Sequence, residues 1–421
     1  MDHVPRMPAL FQLLSNRILA FAGVVCQVLL MDCCLFAVAC GGQDPDGGNS
    51  IDNERLKKLV QDLSNPTFAI REAATEELAI NCDEKSLATL EEMSQASSDF
   101  ETKIRIRGII AKIKAERLRT QVVSFMRSKD PGNTFGFNGW KTFSKYSGQS
   151  RGAKKLFLTL LELHPRLVEQ SLDSKEEALD YAKQIAARVG DKKSRLLYAE
   201  AGDGLALLYT LNASEELHDQ ALEGISIRTF RLAPFSPMLS EPQYRKSLER
   251  MLTTWSSRVK LERLTCLLWF IEKELPVCRT VALDLLSTEE IKVDTDGFAL
   301  AMQALFRFGE RDDLSKVESW LEDKTVCFVS ERLAFPSPDK LDANGQLPQP
   351  LPVERFTVEY RDIALLVALR LHGDDPQPYF PYLRLHALRG FFPDTIALPE
   401  GLDKPREERI KAWQSQKSKL R

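Results

Sequence analysis

The sequence predicts an all-α chain built from helical hairpins. A helix–turn–helix pattern occurs twice near the start, most later blocks place their apolar residues on one helical face, and convincing alternating strand patterns are absent. The pattern is clearest over residues 56–78. Leu56, Leu59, Val60 and Leu63 fall at i, i+3, i+4 and i+7, so they share one face. Asp52 or Asn53 supplies a side-chain oxygen for the orphan amides at the helix start. Ser64-Asn65-Pro66 then breaks the helix, because Pro66 disfavours a helical conformation at Asn65 yet suits the first turn of the next helix. In that second helix Ile70, Ala73, Ala74 and Leu78 are expected inward, with Glu72, Glu76 and Glu77 in solvent.

A second copy follows. Leu87, Leu90 and Met93 form a short helix, Ser97-Ser98-Asp99 a break, and Ile106, Ile109, Ile110 and Ile113 a second inner face. Phe68 and Arg71 align with Phe100 and Lys103 at a spacing of 32 residues, while pairing Arg71 with Arg105 instead gives 34. Two short helices cannot bury their apolar faces alone, whereas stacked pairs can. The segment NPTFAIREAATEEL resembles a HEAT-type repeat, with Pro66 at the inter-helix turn, then Arg71, then Ala73 and Ala74 where helices approach closely. The resemblance implies HEAT-like helical-hairpin repeats in an α-solenoid or irregular α-α superhelix. Because the family repeat usually runs about 40–47 residues, this is a trimmed form.

The 421 residues suffice for several domains or one long array. A hydrophobic content of 43% and a charged content of 28% are those of an ordinary globular protein, and a net charge of −3 argues against nucleic acid as a partner. Four of the eight cysteines (Cys26, Cys33, Cys34, Cys40) lie in the N-terminal apolar segment. Cys82, Cys266, Cys278 and Cys327 are far apart and form no CxxC pair, so no zinc site or disulfide framework is expected.

Arg6 and Arg17 precede an apolar run over 18–39 that ends in Ala37-Val38-Ala39. A basic flank, an apolar core and an A-x-A close describe a secretory signal peptide over 1–40. The run is also long enough to span a bilayer, although Asp32 would be costly there. Cys40 follows in a context that resembles a bacterial lipobox, with Ala37 where that motif usually has Leu, so Cys40 is the candidate lipid attachment site. Cleavage, lipidation and retention of the segment remain three alternatives. Residues 41–51 form a tether, and membrane contact is expected only through the N-terminal segment.

HEAT-like repeats are expected over 52–127. The cations of 102–119 read as the wet side of an amphipathic helix, or as a docking face for an acidic partner. Residues 128–152, with Phe135, Phe137, Trp140, Phe143 and Tyr146, read as an aromatic, Gly-rich linker packed on its neighbours. A helical repeat region is expected over 153–333, where Pro165, Gly190, Gly202, Pro234, Pro237, Pro242, Pro276 and Gly309 punctuate one-face blocks. A Pro-rich extended loop covers 334–353. A C-terminal helical region follows over 354–421, with a helix running through Val358–Leu365 and a charged tail docked by Ile410 and Trp413. The N-terminal signal, the REAA repeat, GWKTFSKYSGQSRGAKKLF, LEDKTVC and YRDIALLVALRLHGDDP together resemble a family of exported HEAT-like proteins of planctomycete bacteria. That resemblance implies an envelope scaffold and assigns no catalytic residue.

Candidate chemistry is sparse. Gly148-Gln149-Ser150-Arg151-Gly152 matches G-x-S-x-G, which in an α/β-hydrolase puts the serine on a sharp turn after a buried strand; KTFSKYS is too polar for that strand. Asp294-Thr295-Asp296-Gly297 resembles half a calcium loop, but Lys292 and Gln303 would fall where carboxylates are needed, so a helix cap before Phe298 is expected. His164, His218, His372 and His386 show no metal-ligand spacing. The expected function is therefore a non-enzymatic, protein-binding scaffold, exported to the periplasm or cell envelope, with no cofactor and no metal. A serine hydrolase centred on Ser150 and a purely structural envelope protein are the alternatives.

Overall fold

The computed structural model describes residues 51–419, except 131, 173, 191–199, 216–218, 233–234 and 334–352. The signal segment, Cys40, nearly all of the tether, His218 and the Pro-rich loop lie outside the described residues. The chain is mostly helical. It forms two compact units, residues 1–138 and 139–421.

The first unit holds two hairpins. Helix α1 (Asn53–Asp62) starts at Asp52, whose Oδ1 accepts from the Arg55 amide at 2.7 Å. Helix α2 (Phe68–Asn81) follows the Pro66 turn, where Asn65 Oδ1 accepts from the Thr67 amide at 2.9 Å. Helix α3 (Leu87–Ala96) leads to the long α4 (Phe100–Arg127), whose first turn is capped by Asp99 through the Thr102 amide at 2.8 Å. Leu56, Leu59, Leu63, Ala74, Leu78, Leu90, Ile106, Ile109 and Ile113 form the core between them. The expected inner face of α2 is narrower than the sequence suggests: Ile70 is 41% exposed and Ala73 is exposed, so only Ala74 and Leu78 are buried. An i, i+4 row drifts about 40° per step at 3.6 residues per turn, and by Ile70 the row has rotated off the core.

Ion pairs join the second helices of the two hairpins. Glu101 Oε1 accepts from Arg71 Nε at 3.1 Å and from Arg105 Nη2 at 2.9 Å, while Arg105 Nη1 donates to Glu72 Oε1 at 2.7 Å and to Thr75 Oγ1 at 2.9 Å. Arg71 Nη1 also donates to the Asn65 and Pro66 carbonyls at 2.8 and 3.0 Å, fixing the inter-helix turn.

The second unit begins with a correction. Residues 140–147, expected inside a linker, form helix α5 (Trp140–Ser147), with Trp140, Phe143 and Tyr146 buried. Their i, i+3, i+6 spacing is helical, but the flanking Gly and Asn residues hid it. Phe143 packs on Phe157 and Tyr209 with ring centroids 5.1 and 5.2 Å apart. Gly139 is required here, because a Cβ would overlap the Leu167 carbonyl.

Then come α6 (Arg151–Leu158), α7 (Leu160–Leu163), α8 (Pro165–Glu169), α9 (Lys175–Val189), α10 (Ala201–Ser214) and α11 (Gln220–Arg231). Helices α12 (Pro242–Ser256), α13 (Arg263–Glu272), α14 (Val277–Leu286), α15 (Thr295–Phe308) and α16 (Leu314–Glu318) continue the series. Pro165 and Pro242 open helices, and Gly190 and Gly309 close them, as the sequence suggests. Gly202 does not punctuate; it lies in the first turn of α10, against Leu163.

The C-terminal part departs most from expectation. Strands β1 (Val326–Leu333) and β2 (Val353–Glu359) pair antiparallel from Val326↔Glu359 to Leu333↔Val353, and β5 (Leu398–Pro399) adds a third strand through Phe356↔Pro399. Strands β3 (Leu385–His386) and β4 (Gly390–Phe391) form a separate ribbon. The segment Val358–Leu365 is therefore not one helix: β2 runs to Glu359, and α17 (Tyr360–His372) starts at Tyr360 with a capping box between Glu359 and Asp362. Along β2 exposed residues are followed by a buried run rather than alternating with them, so a period-two search misses it. Helix α17 is buried nearly all round, and Tyr360 stacks on Phe298 at 3.7 Å. Helix α18 (Asp403–Lys419) docks through Trp413, as expected, and also through Arg406. The Arg406 guanidinium reaches Asp362 Oδ2 at 2.9 Å, Glu359 Oε1 at 3.3 Å and the Thr357 carbonyl at 2.9 Å.

Candidate protein-docking surface

Helix α4 is apolar on two faces. Ile106, Ile109 and Ile113 point into the hairpin core, while Phe100, Ile104, Gly108, Ala111 and Ala115 are exposed on the outer side. Their steps of four, four, three and four keep this second set on one face. Phe100 is 74% exposed and Ile104 is 51% exposed. A Cβ built at Gly108 meets nothing within 4 Å, so the backbone is open to close approach. Phe68, at the equivalent first position of α2, is 63% exposed, with the Arg71 guanidinium 5.6 Å from its ring centroid. Phe68, Phe100 and Ile104 left in water each forgo burial worth about 1.5–3 kcal/mol, which makes the outer face of α4 a candidate interaction surface.

The charges beside it divide into two groups. Arg105, Lys114 and Arg117 are spent on Glu101 and Glu72, on Glu91 at 2.8 Å, and on Glu84 at 2.6 Å. Lys103 and Arg107, one turn apart beside Phe100 and Ile104, have no acidic partner among the described residues. The face thus offers an apolar stripe with uncommitted positive charge along one edge. The sequence held the signal: Ile104 is out of phase with the Ile106–Ile113 stripe, so it cannot share that inner face.

The other candidate residues have structural work. Ser150 caps α6, its Oγ accepting from the Ala153 amide at 3.0 Å, and lies 3.3 Å from Ser247 Oγ. The element before it is helix α5, closed by Gly148 at φ +80°, so the strand–turn–helix of a nucleophile elbow is not the geometry found. Asp294 caps α15 through the Gly297 amide at 2.9 Å. Among the described residues no group of three or more His, Cys, Asp or Glu could hold a metal ion. Burial pushes the Cys278 and Cys327 thiols up to about 12, leaving them protonated and unreactive at neutral pH. His386 Nδ1 accepts from the Leu388 and Arg389 amides at 3.1 and 2.9 Å, closing the β3–β4 turn.

His164 is buried with Nε2 3.0 Å from Asp203 Oδ1 and 3.1 Å from Arg188 Nη2, and Arg188 also pairs with Asp203. Asp203 Oδ2 accepts from the Glu200 amide, so this cluster holds the start of α10. Burial, reinforced by Arg188, pushes the imidazole down to about 4.

Among the described residues no helix is long and apolar enough to cross a membrane. No family model matches this chain, and none of the curated proteins or solved structures does either.

Proposed function

We propose that the chain is a non-enzymatic, exported scaffold whose N-terminal helical hairpins dock an acidic, amphipathic segment of another protein on the outer face of α4. The observation that carries this reading is the exposed stripe of Phe100, Ile104, Gly108 and Ala111, edged by Lys103 and Arg107 without acidic partners among the described residues. An amphipathic helix laid on such a face buries its own apolar side on the stripe, and its carboxylates meet the two cations. The ion pairs around Glu101 hold the two hairpins in register, so the platform is preorganised. Two stacked hairpins and the likeness of NPTFAIREAATEEL to a HEAT repeat support a HEAT-like unit, and the N-terminal apolar segment supports export.

The test places a photo-crosslinking amino acid at position 104 in the producing cell and, as control, at position 80 on α2. The reading expects an adduct with one acidic protein from position 104, reduced tenfold or more by Arg107→Glu together with Lys103→Glu. Equal adducts from both positions, or an adduct indifferent to the charge reversals, would overturn it.

A further inference from the structure

A cleft of about 210 Å³ in the second unit is lined by Arg311, Asp312, Leu314, Ser315, Glu318, His372 and Lys417. It lies among the turn before α16, the end of α17 and the last turns of α18. Gly373, at φ +93°, reverses the chain after α17 and returns Asp374 to the imidazole, where Asp374 Oδ2 lies 2.9 Å from His372 Nδ1. The same oxygen accepts from Trp413 Nε1 at 3.0 Å. The carboxylate therefore fixes the ring and holds the Nδ1 proton, and in the neutral ring Nε2 is then the hydrogen-bond acceptor. The side chain of His372 is only 8% exposed, and its Nε2 has no partner among the described residues.

Of the charged lining residues, Lys417 and Glu318 satisfy each other. Arg311 and Asp312 have no ion-pair or side-chain hydrogen-bond partner among the described residues. The cleft thus presents one uncommitted cation, one uncommitted anion, His372 Nε2, the hydroxyl-bearing Ser315 and the apolar side of Leu314. Its volume corresponds to about seven water molecules at roughly 30 Å³ each, which suits a ligand of six to nine heavy atoms, by order of magnitude.

We infer that this cleft binds a small zwitterion, an α-amino acid. Its carboxylate pairs with Arg311 in the forked geometry that guanidinium favours. Its ammonium donates to Asp312 and to His372 Nε2, and a short side chain packs on Leu314. A phosphate or dicarboxylate is disfavoured, since Asp312 and Glu318 would stand against its second charge.

Calorimetric titration of the full chain with L-alanine, propionate and ethylamine tests the inference, because the last two each lack one of the charged groups. L-alanine should bind saturably, at least tenfold tighter than either fragment. It should also shift the His372 Nε2 resonance in ¹⁵N-labelled protein. Arg311→Ala and Asp312→Asn, both at exposed positions, should each lower alanine affinity tenfold or more with thermal unfolding unchanged. Equal affinity for all three probes, absence of saturation at 50 mM (roughly the weak limit for so small a ligand), or binding indifferent to Arg311→Ala would overturn it.

Discussion

Arg105 of the second hairpin reaches Glu72 of the first, with Nη1 2.7 Å from Oε1. The same guanidinium holds Glu101, which Arg71 shares, so one exposed carboxylate links arginines of the two hairpins. Exposed single pairs contribute about 0.2–1 kcal/mol, and a shared, forked arrangement lies at the upper end. Arg105→Ala should therefore lower the stability of the first unit by about 1 kcal/mol in urea unfolding. High salt should shrink the difference, because these groups face solvent.

Removal of the α18 anchor should cost far more. Arg406→Ala leaves Asp362 buried without its cation, while Glu359 keeps Arg361, and breaking one side of a buried pair costs about 3–5 kcal/mol. Limited proteolysis should then cut within 403–419, at sites protected in the parent protein.

Trp140 tests the reassignment of 140–147 as core. It is buried against Phe143 and Phe157, so Trp140→Ala should cost about 3–5 kcal/mol in chemical denaturation. A ring on a linker would give less than about 0.5 kcal/mol.

His164 gives the fold a pH dependence of defined sign. Its folded pKa, about 4, lies below the ordinary 6.5, so between these values the unfolded chain binds a proton that the folded chain refuses. Its contribution is complete above pH 6.5 and is lost as pH falls toward 4, with a steepest slope of about 1.4 kcal/mol per pH unit. Asp203, Arg188 and Tyr181 face the ring. Thermal melts of His164→Gln should show a flatter profile there.

What the sequence disclosed follows from what local spacing can encode. The one-face blocks of α9 and α15 are buried, and their spacing is legible in the sequence, because Ala178, Ala182, Ile185 and Val189, like Phe298, Ala301, Met302 and Leu305, repeat at helical intervals. The strands were hidden, since β2 acquires its buried end only by pairing with β1 and packing beside α17. Arg406 reads as one more charge in a charged tail; its burial depends on the Asp362 carboxylate, 44 residues away. The cleft was equally illegible, because His372 and Asp374 meet through a left-handed glycine while Arg311 comes from a distant turn. By contrast, the docking stripe was readable in part: Phe68 and Phe100 already aligned, and only their exposure needed the structure.

The expected processing is directly measurable as well. Mass spectrometry of the protein from its own cell separates the three alternatives: a start at Cys40 with lipid mass indicates lipidation, a start near it without lipid indicates cleavage, and an intact Met1 in the membrane fraction indicates retention; an intact Met1 in the soluble cell interior would contradict export.

The docking claim is tested most directly by the affinity of the crosslinked acidic partner, once purified, for the parent protein and for Ile104→Asp. The account predicts at least a hundredfold loss with the melting profile preserved, and tighter parent binding at 50 mM than at 300 mM salt, about 14 and 6 Å of screening length, respectively. Unchanged affinity for Ile104→Asp, or binding insensitive to salt, would contradict it.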